Sequence, residues 1–126
     1  MSAVLKVIAG VPALGFVLVG IAWWIAPEFA AKMLGMELLA GVGLSSQIAD
    51  LASFFLTLGG TILIGLVTAN RVWLYPPIML LGLAIVGRLI AWHFHGAALA
   101  TDMIAVEAVV TTILLLNVRA LPKHGA

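Results

Sequence analysis

Four long apolar stretches follow one another along the chain, and each is long enough to form a membrane-spanning helix. We place these helices at about 4–26, 46–69, 73–95 and 101–118. An α-helix rises 1.5 Å per residue, so about 20 residues cross a hydrocarbon core that is about 30 Å thick. The connections are short, and consecutive helices should therefore run antiparallel. The pattern predicts an all-α integral membrane protein: a four-helix up-and-down bundle formed by one transmembrane domain, 1–126.

Residues at the predicted helix boundaries agree with this division. Pro27 and Glu28 indicate a short interfacial helix over about 27–36, because proline is tolerated at the first helical position and an acid there complements the helix dipole. Ser45 or Ser46 is expected to cap the second long helix, since a serine hydroxyl can accept a hydrogen bond from a free backbone N–H group.

The composition excludes several classes of protein. Hydrophobic residues make up 64% of the chain and charged residues 9%, against about 25% charged in an ordinary soluble domain. The mean hydropathy is +1.26, too high for a water-soluble globule. Cysteine is absent, which excludes disulfide bonds and thiolate metal sites. A net charge of +1 without a basic run argues against a nucleic-acid-binding surface.

Basic residues are distributed unequally between the two ends of the predicted bundle. Lys6, Arg71, Arg119 and Lys123 fall at one end, whereas Lys32 falls at the other. Cytoplasmic loops of membrane proteins are enriched in lysine and arginine. We therefore expect a multi-pass protein of the cell inner (cytoplasmic) membrane, with both termini in the cytoplasm.

Two opposite charges lie at the same predicted depth in the membrane. Arg88 precedes the outer end of the third helix by seven residues, and Glu107 lies six residues into the fourth, which places both roughly 9–11 Å deep. An unpaired charge at that depth costs at least about 2.5–3.5 kcal/mol on insertion scales. The two side chains should therefore form a bidentate ion pair. This pair either belongs to a functional site or is a purely structural bridge that fixes the register of the two helices.

Three further residues extend this cluster towards the outer surface. Asp50 lies near the outer end of the second helix, while Trp92 and His95 follow Arg88 at helical spacing. The pattern predicts an outer-leaflet polar pocket. Its candidate ligand-binding residues are Asp50, Arg88, Trp92, His95 and Glu107, and its candidate catalytic residues are Asp50, Glu107 and His95. Asp102 is interpreted as an acid that complements the dipole of its own helix.

A stripe of small and polar residues runs along the second helix. Its members are Ser53, Thr57, Thr61, Gly65 and Thr68. Small residues allow membrane helices to approach closely, so the stripe is expected to face other helices rather than lipid. No motif for a metal or a cofactor is present, and we predict neither.

Several short motifs suggest a family resemblance over nearly the whole chain. They are Ala26-Pro27-Glu28, Asp50-Leu51, Gly59-Gly60, Gly87-Arg88 and Glu107. In these the chain resembles an uncharacterised bacterial family of small four-helix membrane proteins, a domain of unknown function near the DoxX-like group. Relatives of the DoxX type are associated with membrane redox or quinone-linked systems, often as accessory subunits. The resemblance implies the architecture and the polar cluster, and by analogy an accessory role.

Three functions are open at this point. The first is an accessory or binding protein whose pocket holds a lipid, a quinone, another apolar ligand, or a partner subunit or second copy. The alternative is a membrane enzyme, an isomerase or hydrolase of a sterol-like or terpenoid substrate, with Glu107 or Asp50 as acid or base. Ion conduction is the third and ranks last, because the inner half of the predicted bundle contains threonines but no ionisable relay.

Overall fold

The computed structural model describes residues 3–121, and all regular secondary structure within them is helical. Six α-helices occur: α1 (Ala3–Ile25), α2 (Pro27–Met33), α3 (Gly41–Ser46), α4 (Ala52–Thr68), α5 (Tyr75–His95) and α6 (Thr101–Ala120). A π-helical turn (Gln47–Leu51) joins α3 to α4, and a 3-10 turn (Arg71–Leu74) leads into α5. Lys123, which contributed to the predicted orientation, lies outside the described residues.

Four helical spans are long and apolar enough to cross a membrane. They are Ala3–Ile25, Gly41–Thr68, Arg71–His95 and Thr101–Ala120. The prediction of an all-α protein with four such helices is confirmed. α2 follows α1 directly, with Pro27 at its start as predicted, and ends before Gly35, whose φ of 68° lies in the left-handed region that favours glycine.

The second span begins earlier than predicted and without a serine cap. It starts at Gly41, so that Ser46 lies inside the helix. The residue that holds this helix to the preceding segment is Gln47, which is buried. Its side-chain oxygen accepts a hydrogen bond from the Leu39 backbone N–H (2.8 Å), and its amide nitrogen donates to the Glu37 carbonyl (3.0 Å).

Close packing of α1 against α4 depends on two glycines. A Cβ atom on Gly59 would lie 2.7 Å from Val17 Cγ2 and 2.9 Å from Val17 N, and one on Gly20 would lie 2.7 Å from Leu56 Cγ. The two helices run antiparallel, since Gly20 meets Leu56 while Val17 meets Gly59. α1 also packs on α6, and α6 packs on α5. The N-terminal helix is therefore a central part of the fold.

The predicted role of the small and polar stripe is wrong. Ser53, Thr57 and Thr68 are exposed, and Thr61 is half-buried. The hydroxyl groups of Ser53, Thr61 and Thr68 donate to the carbonyl oxygens four residues earlier, at 2.6–2.7 Å. A hydroxyl that bonds to its own helix needs no neighbour. Only Gly65 among the five predicted members is buried, against Leu74.

A buried amide joins α1 to α6 at the end of the bundle opposite α2. Asn117 is fully buried, and its side-chain nitrogen donates to the carbonyl oxygens of Leu5 (3.2 Å) and Ile113 (3.0 Å). Interhelical hydrogen bonds of this kind stabilise membrane helices by about 0.6 kcal/mol on average. The bond helps to fix the register between α1 and α6.

Candidate functional site

A cavity of about 350 Å³ lies where five helices meet: α1, α2, α4, α5 and α6. We call it the central cavity. Apolar side chains form most of its wall, namely Phe16, Met33, Leu34, Phe54, Phe55, Leu58, Leu81, Met103 and Val106. Its remaining lining residues are Arg88, Asp102 and Glu107. Among the described residues the cavity thus combines an apolar wall with a small group of charges.

A second cavity, of about 300 Å³, adjoins the first and extends towards the end of the bundle that carries α2. We call it the mouth cavity. It shares Leu34, Phe54, Phe55, Arg88 and Met103 with the central cavity, and adds Met36 and Leu51. Because the two share these residues, they are neighbours, and Arg88 is a wall residue of both.

Arg88 and Glu107 form the predicted ion pair. Arg88 Nε lies 2.9 Å from Glu107 Oε1, and Arg88 Nη2 lies 3.1 Å from Glu107 Oε2. This is the parallel, two-bond geometry that a guanidinium and a carboxylate favour. The two residues meet because the connection between α5 and α6 is short, which places positions equally far from it at the same level. Glu107 is buried, whereas a third of the Arg88 side chain is exposed.

The guanidinium of Arg88 has hydrogen-bonding capacity beyond this pair. It carries five N–H donors. In residues 3–121 its hydrogen bonds use only Nε and Nη2, so Nη1 is not bonded to any described residue. Arg88 lines both cavities, and a third of its side chain is exposed.

Asp102 is a site residue that the sequence reasoning assigned only to helix stabilisation. It does stand in the first turn of α6, as predicted, but it also lines the central cavity. The cavity-facing positions of α6 are Asp102, Met103, Val106 and Glu107, which recur at helical spacing. This spacing places Asp102 on the same face of the helix as Glu107, and it was the feature of the sequence that could have identified Asp102 as a cavity residue.

Asp50, Trp92 and His95 lie outside the central cavity and are exposed. The structure therefore brings together two of the five candidate ligand-binding residues, Arg88 and Glu107. Asp50 belongs to the π-helical turn, which interrupts the regular α-helical spacing before α4. Trp92 and His95 lie in the last turns of α5, where every residue from 92 to 95 is exposed. Their roles in binding or catalysis stay predictions.

The aromatic wall of the cavity was not anticipated from the sequence. Phe54 and Phe55 meet edge to face with ring centroids 5.1 Å apart, and Phe16 lies 6.2 Å from Phe55. In a chain this apolar, a phenylalanine that faces a cavity cannot be distinguished by its pattern from one that faces lipid. Only the packing of the helices reveals which rings line the cavity.

The comparisons with known proteins give no match: no family model, no curated protein and no solved structure matches this chain. The resemblance to the DoxX-like group therefore stays a prediction. Within residues 3–121, no three histidine, cysteine, aspartate or glutamate side chains lie close enough together to hold a metal ion.

Proposed function

We propose that this is a small integral membrane protein that binds an apolar molecule, of the lipid or quinone class, in the central cavity. The observation that carries the proposal is an apolar cavity with the Arg88–Glu107 pair on its wall. Ligand sites typically combine mostly apolar walls with a few convergent polar groups, in volumes of roughly 300–1,000 Å³. At about 350 Å³ the central cavity falls within this range.

The proposal includes an arrangement in the membrane. The four spans cross it as an up-and-down bundle, with both termini on the cytoplasmic side of the inner membrane. The positions of Lys6, Arg71 and Arg119 support this orientation. α2 and the mouth cavity then lie in the outer leaflet, from which an apolar ligand reaches the bundle. In this role the protein acts as an accessory subunit that holds a ligand for a partner.

Filling the cavity tests the proposal. Met103 lines both cavities, and Met103→Trp should occupy the space that a ligand needs. Val109→Trp is the matched control, because Val109 lies on the same helix, is exposed and lines neither cavity. Native mass spectrometry of both variants and the unaltered protein, released from membranes, should show a co-purified small molecule that only Met103→Trp loses. Equal retention by all three proteins would contradict the proposal.

Acid–base catalysis on an apolar substrate is a second candidate. The observation that favours it is the presence of two carboxyl groups, Asp102 and Glu107, on one cavity. In this case the molecule recovered from the unaltered protein is converted on incubation, and Glu107→Gln abolishes the conversion. Recovery of the molecule unchanged would instead favour a purely binding role.

A further inference from the structure

The charges on the central cavity restrict what can bind there. Three ionisable residues line it among those described: Arg88, Asp102 and Glu107. Arg88 and Glu107 compensate each other's formal charge, whereas Asp102, exposed in the first turn of α6, is an acid without a basic partner on the cavity wall. An anionic head group entering the cavity would meet that charge without an unpaired cation to compensate for it. The cavity is therefore unfavourable for fatty-acid carboxylates and lipid phosphates.

The same geometry provides donors for a neutral oxygen. Glu107 binds Arg88 through Nε and Nη2, which fixes the orientation of the guanidinium and leaves Nη1 unbonded to described residues. A carbonyl oxygen can accept a hydrogen bond from these N–H groups without bringing a net charge into an apolar space, where charges are costly. A cationic head group offers no acceptor to Arg88 and would lose its hydration in the cavity, where the buried carboxylate, Glu107, is already paired and the unpaired one, Asp102, is exposed.

We propose that the central cavity selects neutral apolar molecules that carry a carbonyl oxygen, and that Arg88 is the donor to that oxygen while Asp102 rejects anions. This inference rests on the proposed binding function and narrows it to one class of ligand. The apolar remainder of the molecule then lies among Phe16, Leu58 and Leu81, which belong to the central cavity but not to the mouth cavity.

Four probes with one ring system and different head groups test the selectivity. They are 2-acetonaphthone (a neutral ketone), 2-naphthoate (an anion), 2-naphthylmethylamine (a cation) and 2-isopropylnaphthalene (a hydrocarbon). Equilibrium dialysis against the protein in nanodiscs, corrected with protein-free nanodiscs, gives the affinity of each. The ketone should bind at least tenfold more tightly than the other three. Equal or tighter binding of any of the three would overturn the inference, although the proposed binding function would survive.

Two variants assign the roles of the residues. Asp102→Asn removes this charge, and naphthoate should then bind more tightly, by up to about fivefold, because the charge of an exposed side chain is screened by water. Glu28→Gln is the control, since Glu28 is exposed on α2 and lines neither cavity. The double variant Arg88→Met/Glu107→Leu should bind ketone and hydrocarbon equally. Unchanged naphthoate binding in Asp102→Asn, or retained ketone preference in the double variant, would also overturn the inference.

A failure of the proposed binding function itself would give a different result in the dialysis experiment. If none of the four probes binds the unaltered protein above the level of protein-free nanodiscs, the cavity is not a small-molecule site and both proposals fall. Selective binding of a probe other than the ketone would refute the proposed ligand class but not the proposed binding function. The dialysis experiment therefore distinguishes the two failures.

Discussion

Arg88 on α5 and Glu107 on α6 hold each other through two parallel hydrogen bonds, of 2.9 and 3.1 Å, at the wall of a cavity. In an apolar environment each of these charges is tolerable because the other is present. The pair therefore fixes one point of contact between two helices and also carries the donors that a ligand would use. Stability and binding can be separated by experiments on these two residues.

Removing one partner of the Arg88–Glu107 pair should destabilise the protein more than removing both partners. Arg88→Met leaves the buried Glu107 carboxylate without its cation; breaking a fully buried pair in this way costs about 3–5 kcal/mol, and the loss here should be smaller because a third of the Arg88 side chain is exposed. The double variant Arg88→Met/Glu107→Leu replaces the pair with apolar side chains and should recover most of that loss. Thermal unfolding in detergent, followed by circular dichroism, measures the three midpoints.

Lys32→Met is the control for this series, because Lys32 is an exposed basic residue on α2. Its unfolding midpoint should match that of the unaltered protein. If Arg88→Met were as stable as the double variant, the ion pair would not have the energetic role assigned to it.

Gly59 and Gly60 should respond differently to the same substitution. A methyl group at Gly59 would collide with Val17 on α1, whereas a Cβ on Gly60 would have no described atom within 4 Å apart from its chain neighbours and the nearby backbone of its own helix. Overpacking of this kind typically costs about 1–3 kcal/mol. Gly59→Ala should therefore lower the unfolding midpoint in detergent, and Gly60→Ala should leave it unchanged or raise it slightly. Equal midpoints for the two variants would show that α1 and α4 do not approach closely at Gly59.

Gln47 should control the order of the segment that precedes α3. Its side chain bonds to backbone groups of Leu39 and Glu37, and each of these part-buried hydrogen bonds contributes about 0.5–1.5 kcal/mol. In Gln47→Ala the backbone amide of Leu39 should exchange with deuterium faster, while amides in the middle of α4 keep their protection. Ser46→Ala provides the comparison, since Ser46 is exposed. The same exchange rate at Leu39 in both variants would argue against this role of the Gln47 side chain.

The sequence was most informative where a strong physical cost acts on a single residue. Hydrophobic stretches longer than a bilayer is thick identify the four spans, and the cost of an isolated charge predicts that Arg88 and Glu107 meet. Asp50 was harder to place, because its position depends on a π-helical turn that no simple periodicity reveals.

The residues that line the cavity could not be predicted for a different reason. In water, burial separates core residues from surface residues by their polarity, but in a bilayer both are apolar. Phe54, which lines the cavity, and Phe94, which is 72% exposed, therefore look alike in the sequence. The prediction that the small and polar stripe packs against other helices was wrong for a related reason. Hydroxyl groups that bond to carbonyl oxygens of their own helix can face lipid.

Photolabelling with benzophenone tests the central claim most directly, because this neutral aryl ketone inserts on irradiation into nearby C–H bonds, methionine side chains foremost. Met103 lines both cavities, whereas Met79 on α5 is exposed and lines neither. Mass spectrometry of peptides from protein in nanodiscs, labelled at increasing probe concentrations, compares the two. We expect the labelling of Met103 to saturate and to be displaced by excess 2-acetonaphthone, whereas the labelling of Met79 should rise in proportion to the probe concentration. Proportional, undisplaced labelling of both methionines would contradict a binding site in the cavity.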